Sequence, residues 1–119
     1  MSVESCPSSP NCVSTAAATD DTVHYMAPVS YSADAAEAIA AIEKAIIDAG
    51  GTISESSALG VDATFRTALL RFTDDVSFRL DEDAKVLHFR SASRVGHSDL
   101  GANRKRLGEL LAPIAAAIT

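Results

Sequence analysis

Between Phe89 and Leu107 the chain reads FRSASRVGHSDLGANRKRL, which gathers Arg90, Arg94, Arg104, Arg106, Ser91, Ser93, Asp99 and Asn103 into one short stretch. A guanidinium suits planar oxyanions because it donates in a fixed fork, so this density of arginine points to anion binding. Arg90, Arg94 and Arg104, with Asn103, Ser91 and Ser93, are the candidate ligand-binding residues. Asp74, Asp75, Asp99 and Arg106 are the candidates for holding them in place. The alternative is that the arginines pair with Asp74, Asp75, Asp81 or Asp99, and the signature is then an internal salt-bridge network.

Catalytic chemistry has thinner support, and no catalytic residue is assigned. Asp74 and Asp75 are adjacent, so on a strand they would point to opposite faces, which is poor for shared acid–base work and better suited to a turn. His97 could act as a base near Ser91 or Ser93, although a surface-loop histidine accounts for it as well. His24, His88 and His97 are scattered, without metal-ligand partners at motif spacing, and no phosphate-binding glycine loop or G-x-S-x-G pattern is present. Neither a metal nor a cofactor is expected. Cys6 and Cys12 bracket Pro-Ser-Ser-Pro-Asn, a spacing short enough for a disulfide-closed loop in an oxidising compartment. Inert thiols are the other reading, since no His or Lys stands within ten residues of Cys6 to activate it.

Positioning these groups requires a frame. Residues 1–22 are rich in Ser, Pro and small residues without a strand or helix period, and read as a flexible leader to a single domain over 23–119. Val23–Tyr31 alternates as a first strand, with Pro28 favouring a sheet edge. Ser32 offers a cap to a helix over Asp34–Ala49, whose stripe is Ala35, Ile39, Ile42, Ile46 and Ala49, and Gly50-Gly51 ends it. Four strands follow at Thr52–Ser57, Ala63–Phe72, Val76–Leu80 and Val86–Val95, separated by turns at 59–62, 73–75 and 81–84. Ser98 caps a final helix over 99–118 that contains Pro113.

The result is an α+β fold, strand-helix-four strands-helix, with a curved antiparallel sheet carrying both helices on one face. This order resembles the TATA-box-binding-protein-like arrangement. Alternation on the last strand turns Leu87, Phe89, Ser91, Ser93 and Val95 to the helices and Arg90 and Arg94 to the open face. Asn103 and Arg104 fall within the stripe marked by Leu100 and Leu107.

Composition narrows the partners. A chain of 119 residues with 47% hydrophobic residues fits one ordinary globular core. Its net charge of −6 and pI near 4.8 argue against nucleic acid. The apolar run at 110–118 is too short to span a bilayer. An anionic small molecule or a protein partner remains, and the open sheet face or edge permits a homodimer. The chain as given carries no secretory signal, which implies a cytoplasmic protein, or an exported or periplasmic one if a signal was removed.

Three motifs in order, CPSSPNCVST, TFRTALLRFTDDVSFRLDED and HFRSASRVGHSDLGANRKR, resemble the bacterial and plastid proteins grouped as domain of unknown function 1499. The resemblance runs from Cys6 to Arg106. It makes Asp74, Asp75, Arg90, Ser91, Ser93, Arg94, Gly96, Asp99, Asn103, Arg104 and Arg106 the signature. His97 stands where that family commonly has an aromatic residue, and several members look exported or membrane-anchored. The resemblance implies no activity.

Overall fold

The computed structural model describes residues 3–67, 72–96 and 98–119. Six strands, β1 (Cys12–Ser14), β2 (Val29–Ser30), β3 (Thr52–Ser56), β4 (Gly60–Arg66), β5 (Thr73–Asp81) and β6 (Val86–Ser93), form one antiparallel sheet in the order β1-β6-β5-β4-β3. β2 pairs with the start of β6 at the same edge that β1 occupies farther along. Helix α1 (Ala35–Asp48) lies against β3 and β4, α2 (Ala102–Ile118) lies against β6 and β1, and the helices pack on each other. The fold is α+β with helices on the sheet, and its order is compatible with the arrangement expected.

Period-two sequence makes the sheet two-sided. Asp74, Val76, Phe78 and Leu80 of β5 point to the helices, and burial alternates strictly along the strand. In register beside them stand Ser93, Ser91, Phe89 and Leu87 of β6. Phe78 and Phe89 meet at a centroid separation of 6.5 Å, within the range of favourable tilted aromatic pairs. From the helices come Ala38, Ile39, Ile42 and Ile46, then Leu107, Leu110, Leu111, Ile114 and Ile118. Removing a large aliphatic side chain from such a core costs about 2–5 kcal/mol. α1 ends as its glycines require: Gly50 adopts φ +89°, and Gly50 and Gly51 donate back to Ile47 and Ile46.

Several elements differ from the sequence pattern. No strand is predicted before Val23, yet Cys12–Ser14 is one and is buried. Within 23–31 only Val29–Ser30 is strand, while Tyr25 makes an isolated bridge to Ser14. Gly60 begins β4 instead of sitting in a turn, because it passes close under Arg79: a Cβ there would lie 2.9 Å from Arg79 Cδ. Asp74 and Asp75 lie on β5 and not in a turn, each facing a different arginine. Residues 68–71 of the predicted second strand of the run lie outside the described residues.

Asp34, not Ser32, precedes α1, and the Ser32 hydroxyl instead donates to the Thr119 carbonyl. α2 starts at Ala102, three residues later than the pattern suggests, and runs through Pro113. Val95 and Leu100 are therefore not core residues: they are 53% and 97% exposed. Leu100 sits in the turn before the helix at φ +55°, a backbone region that is strained for leucine.

Candidate functional site

Asn103 is fully buried in the first turn of α2, where an amide is stable only if its hydrogen bonds are met. Its Nδ2 donates toward the Asn11 carbonyl at 3.1 Å, Ser93 Oγ at 3.0 Å and Asp99 Oδ2 at 2.6 Å. Its Oδ1 accepts from Ser91 Oγ at 2.6 Å and Arg106 Nη1 at 3.2 Å. Two amide protons thus face three acceptors, and one side chain ties the N-terminal segment, β6, the turn before α2 and α2 itself.

Asp99 completes the helix start. Its carboxylate accepts the Gly101 and Asn103 backbone N–H groups at 2.8 and 3.0 Å, two donors that a helix terminus otherwise leaves open. Burial pushes its pKa up, but the hydrogen bonds from Asn103 and Gly101 outweigh that and hold it below the ordinary carboxylate value. Ser98 does not cap the helix; its hydroxyl accepts from Leu100 N at 3.3 Å.

One turn along α2, Arg106 reaches the same centre. Its Nη1 lies 2.8 Å from Asp74 Oδ2, with the two side chains 15% and 1% exposed. That contact is an ion pair without good hydrogen-bond direction, and neither Asp74 oxygen receives a hydrogen bond from a described residue. The Arg106 guanidinium also stands 5.0 Å from the Phe65 ring. A buried pair of this kind gives little net stability, but breaking it leaves a charge without compensation.

Asn11 is the member that sequence reasoning misses. Its carbonyl accepts from Ser93 N as well as Asn103, and its Nδ2 donates to the Gly96 carbonyl at 2.8 Å. Gly96 turns there at φ +86°. The signal was present in the motif, because a disulfide joins Cys6 to Cys12 and fixes the chain direction immediately after Asn11. His24 supports the same segment, with Nδ1 donating to Asp21 Oδ2 at 2.7 Å and Nε2 to the Ser9 carbonyl at 2.9 Å.

The candidate arginines are divided between two faces. On the open face, Arg94 makes a two-pronged pair with Asp75, Nε at 2.8 Å and Nη2 at 2.9 Å. Arg79 pairs with Asp62 at 2.8 Å. Arg90 donates through Nε to the Ser5 carbonyl at 3.3 Å. Arg104, on the helix side, donates to the Val23 and Tyr25 carbonyls at 3.1 and 3.0 Å. Arg90 and Arg94 therefore do not converge with Arg104.

An open-face depression of about 510 Å³ is lined by Glu4, Asp62 and Asp75 against Arg79 and Arg90. Ser91 and Asn103 are closed off beneath the helix. His97 lies outside the described residues. Among the described residues no group of three or more metal-type ligands comes together, and no helix is long and apolar enough to cross a membrane.

The fold and this centre define a small α+β domain whose polar signature lies mostly between the sheet and α2. The family model described as "Protein of unknown function (DUF1499)" matches residues 2–114, and the chain belongs to that family. No curated protein and no solved structure matches it.

Proposed function

We propose that this is a non-enzymatic structural or protein-interaction domain in which Asp74, Ser91, Ser93, Asp99, Asn103 and Arg106 form an internal lock. The observation that carries the reading is Asn103, buried and bonded at once to the N-terminal segment, β6 and the turn before α2. A nucleophile has to meet its substrate, and Ser91 is fully buried with its hydroxyl already donated. The lock leaves the polar open face of the sheet for a partner. Amide hydrogen exchange tests the lock: in Asn103→Ala, protection falls together in β1, the end of β6 and the first turns of α2. A loss confined to α2 would overturn the proposal.

The second reading is an anionic ligand or acidic partner held by Arg90, Arg94 and Arg104. It is favoured by Arg90 and Arg104, whose hydrogen bonds among the described residues go to main-chain carbonyls and not to a carboxylate. Glu4, Asp62 and Asp75 line the same depression as Arg90, and that weighs against it. Thermal-shift titration with phosphate, sulfate and carboxylates decides. Stabilisation that survives replacement of both Arg90 and Arg104 by Ala sinks this reading.

A further inference from the structure

We infer that residues 3–5 are a strap over one border of the open face, and that a dithiol releases it by reducing the Cys6–Cys12 disulfide. The strap controls the face that the proposed function leaves for a partner. It rests on that reading only for its consequence, because release is measured with no partner present.

Strand alternation locates the strap. Val13 of β1 joins the core, so Cys12 and Ser14 point the other way, in register with Ala92 and Arg90 of β6. The outward residues of β5 are all half-buried, as are Val86, His88 and Arg90 on β6. Cys12, Ser14 and Ala92 break that pattern at 1%, 0% and 8% exposed. Their contacts identify the cover. The Glu4 carbonyl accepts from Ser14 Oγ at 2.7 Å, the Ser5 carbonyl accepts from Arg90 Nε at 3.3 Å, and Cys6 is bonded to Cys12. Val3 and Glu4 form one wall of the open-face depression, and the rest of its lining comes from β3 to β6.

The disulfide decides whether the strap stays. Downstream the chain is held without it: His24 Nε2 donates to the Ser9 carbonyl, and β1 is paired along β6. Upstream, residues 3–8 are held by the two hydrogen bonds above and the cross-link. Two hydrogen bonds do not offset the lost freedom of six ordered residues, so the bond between the sulfurs supplies the difference.

Release proceeds by thiol–disulfide exchange. Cys6 is partly exposed and Cys12 is covered, so a thiolate of the dithiol attacks Cys6 Sγ. The Sγ–Sγ bond breaks, and Cys12 leaves as a thiolate and takes the proton that the attacking thiol gave up. The second thiol of the reductant then displaces Cys6, which takes the second proton, and the reductant ends as a disulfide. With the strap gone, Arg90 loses its Ser5 partner and the depression loses the Glu4 carboxylate. The face becomes wider and less acidic.

The test is alkylation of Cys12 by iodoacetamide in the natural protein after reduction by dithiothreitol, and in Cys6→Ser, where no disulfide forms. Cys12 should react within about tenfold of its rate in the urea-unfolded chain. Cleavage after Glu4 by a glutamate-specific protease should become about tenfold faster than in the oxidised protein. Hydrogen exchange should show Val76, Phe78 and Phe89 still protected. Slower alkylation than that in both proteins, or unchanged cleavage, means that the strap stays in place and overturns the inference. Loss of protection through β5 and β6 also overturns it, because the disulfide is then a staple of the whole fold. None of these readouts involves a partner, so they fail separately from the proposed function.

Discussion

The two faces of the sheet use the same residue types to opposite effect. Adjacent aspartates on β5 make the contrast sharp: Asp74 turns inward to Arg106, with the side chains 1% and 15% exposed, and Asp75 turns outward to Arg94, with 44% and 55%. Outside, water competes for each charge, and the pair is optional even though its two-pronged geometry is better. Inside, no water replaces a missing partner, so the poorer contact is the one the fold depends on. Good geometry and energetic weight are different properties.

The strongest test of that contrast is Asp74→Ala. It strands the Arg106 charge between sheet and helix, and urea unfolding should show a loss of about 3–5 kcal/mol. A loss as small as that of Asp75→Ala would erase the distinction between the faces. Asn103→Ala comes next, because Ser91, Ser93, Asp99 and the Asn11 carbonyl each lose a partner. About 2–3 kcal/mol is expected by the same measurement, with Leu107 and Leu110 still packed.

Replacing Cys6 and Cys12 together by Ser removes only a short closed loop, and chain entropy puts its effect at about 2 kcal/mol. Because the loop aims Asn11 at Asn103, this change and Asn103→Ala should be non-additive in a double-mutant cycle. Simple additivity would separate the disulfide from the lock.

A pH series probes the same segment more gently. Both partners of His24 are acceptors, so the imidazolium satisfies both, and its pKa is raised, first by the Ser9 carbonyl and then by Asp21. A raised folded value means stability that is full below the unfolded value near 6.5 and is lost as pH climbs through the folded one. The difference in melting temperature between the natural protein and His24→Ala should accordingly be largest at mildly acidic pH and shrink above it. Asp99 has the opposite sign: its lowered value keeps its contribution above pH 3.8 and loses it as pH falls through the folded value. The smallest effect is Arg94→Ala, for which the urea midpoint should stay where it is.

Much of the frame was legible because it rests on local period. α1 follows the three- and four-residue spacing of Ile39, Ile42 and Ile46, and the inward set of β6 follows strict alternation through Leu87, Phe89 and Ser91. The beginning of the chain was not legible in this way. β1 is three residues long, and its pairing partner lies some eighty residues away, so no local pattern could mark it. Leu100 misled for a related reason: it continues a helical spacing, but Asp99 and Gly101 set the turn that starts α2 after it.

The sequence by itself determined the α+β class, the order of elements from α1 onward and the presence of a polar signature, because hydrophobic period and turn chemistry are local properties. It also placed Arg94 and Arg90 on the open face and Ser91 on the covered one, since a strand alternates wherever it lies. Only the tertiary structure decided which charge met which. Whether Asp74 or Asp75 became the costly one depended on where α2 crossed the sheet and on Asn11 arriving from the other end of the chain. Burial is a property of the assembled layers, and burial is what turns a salt bridge from surface decoration into a lock.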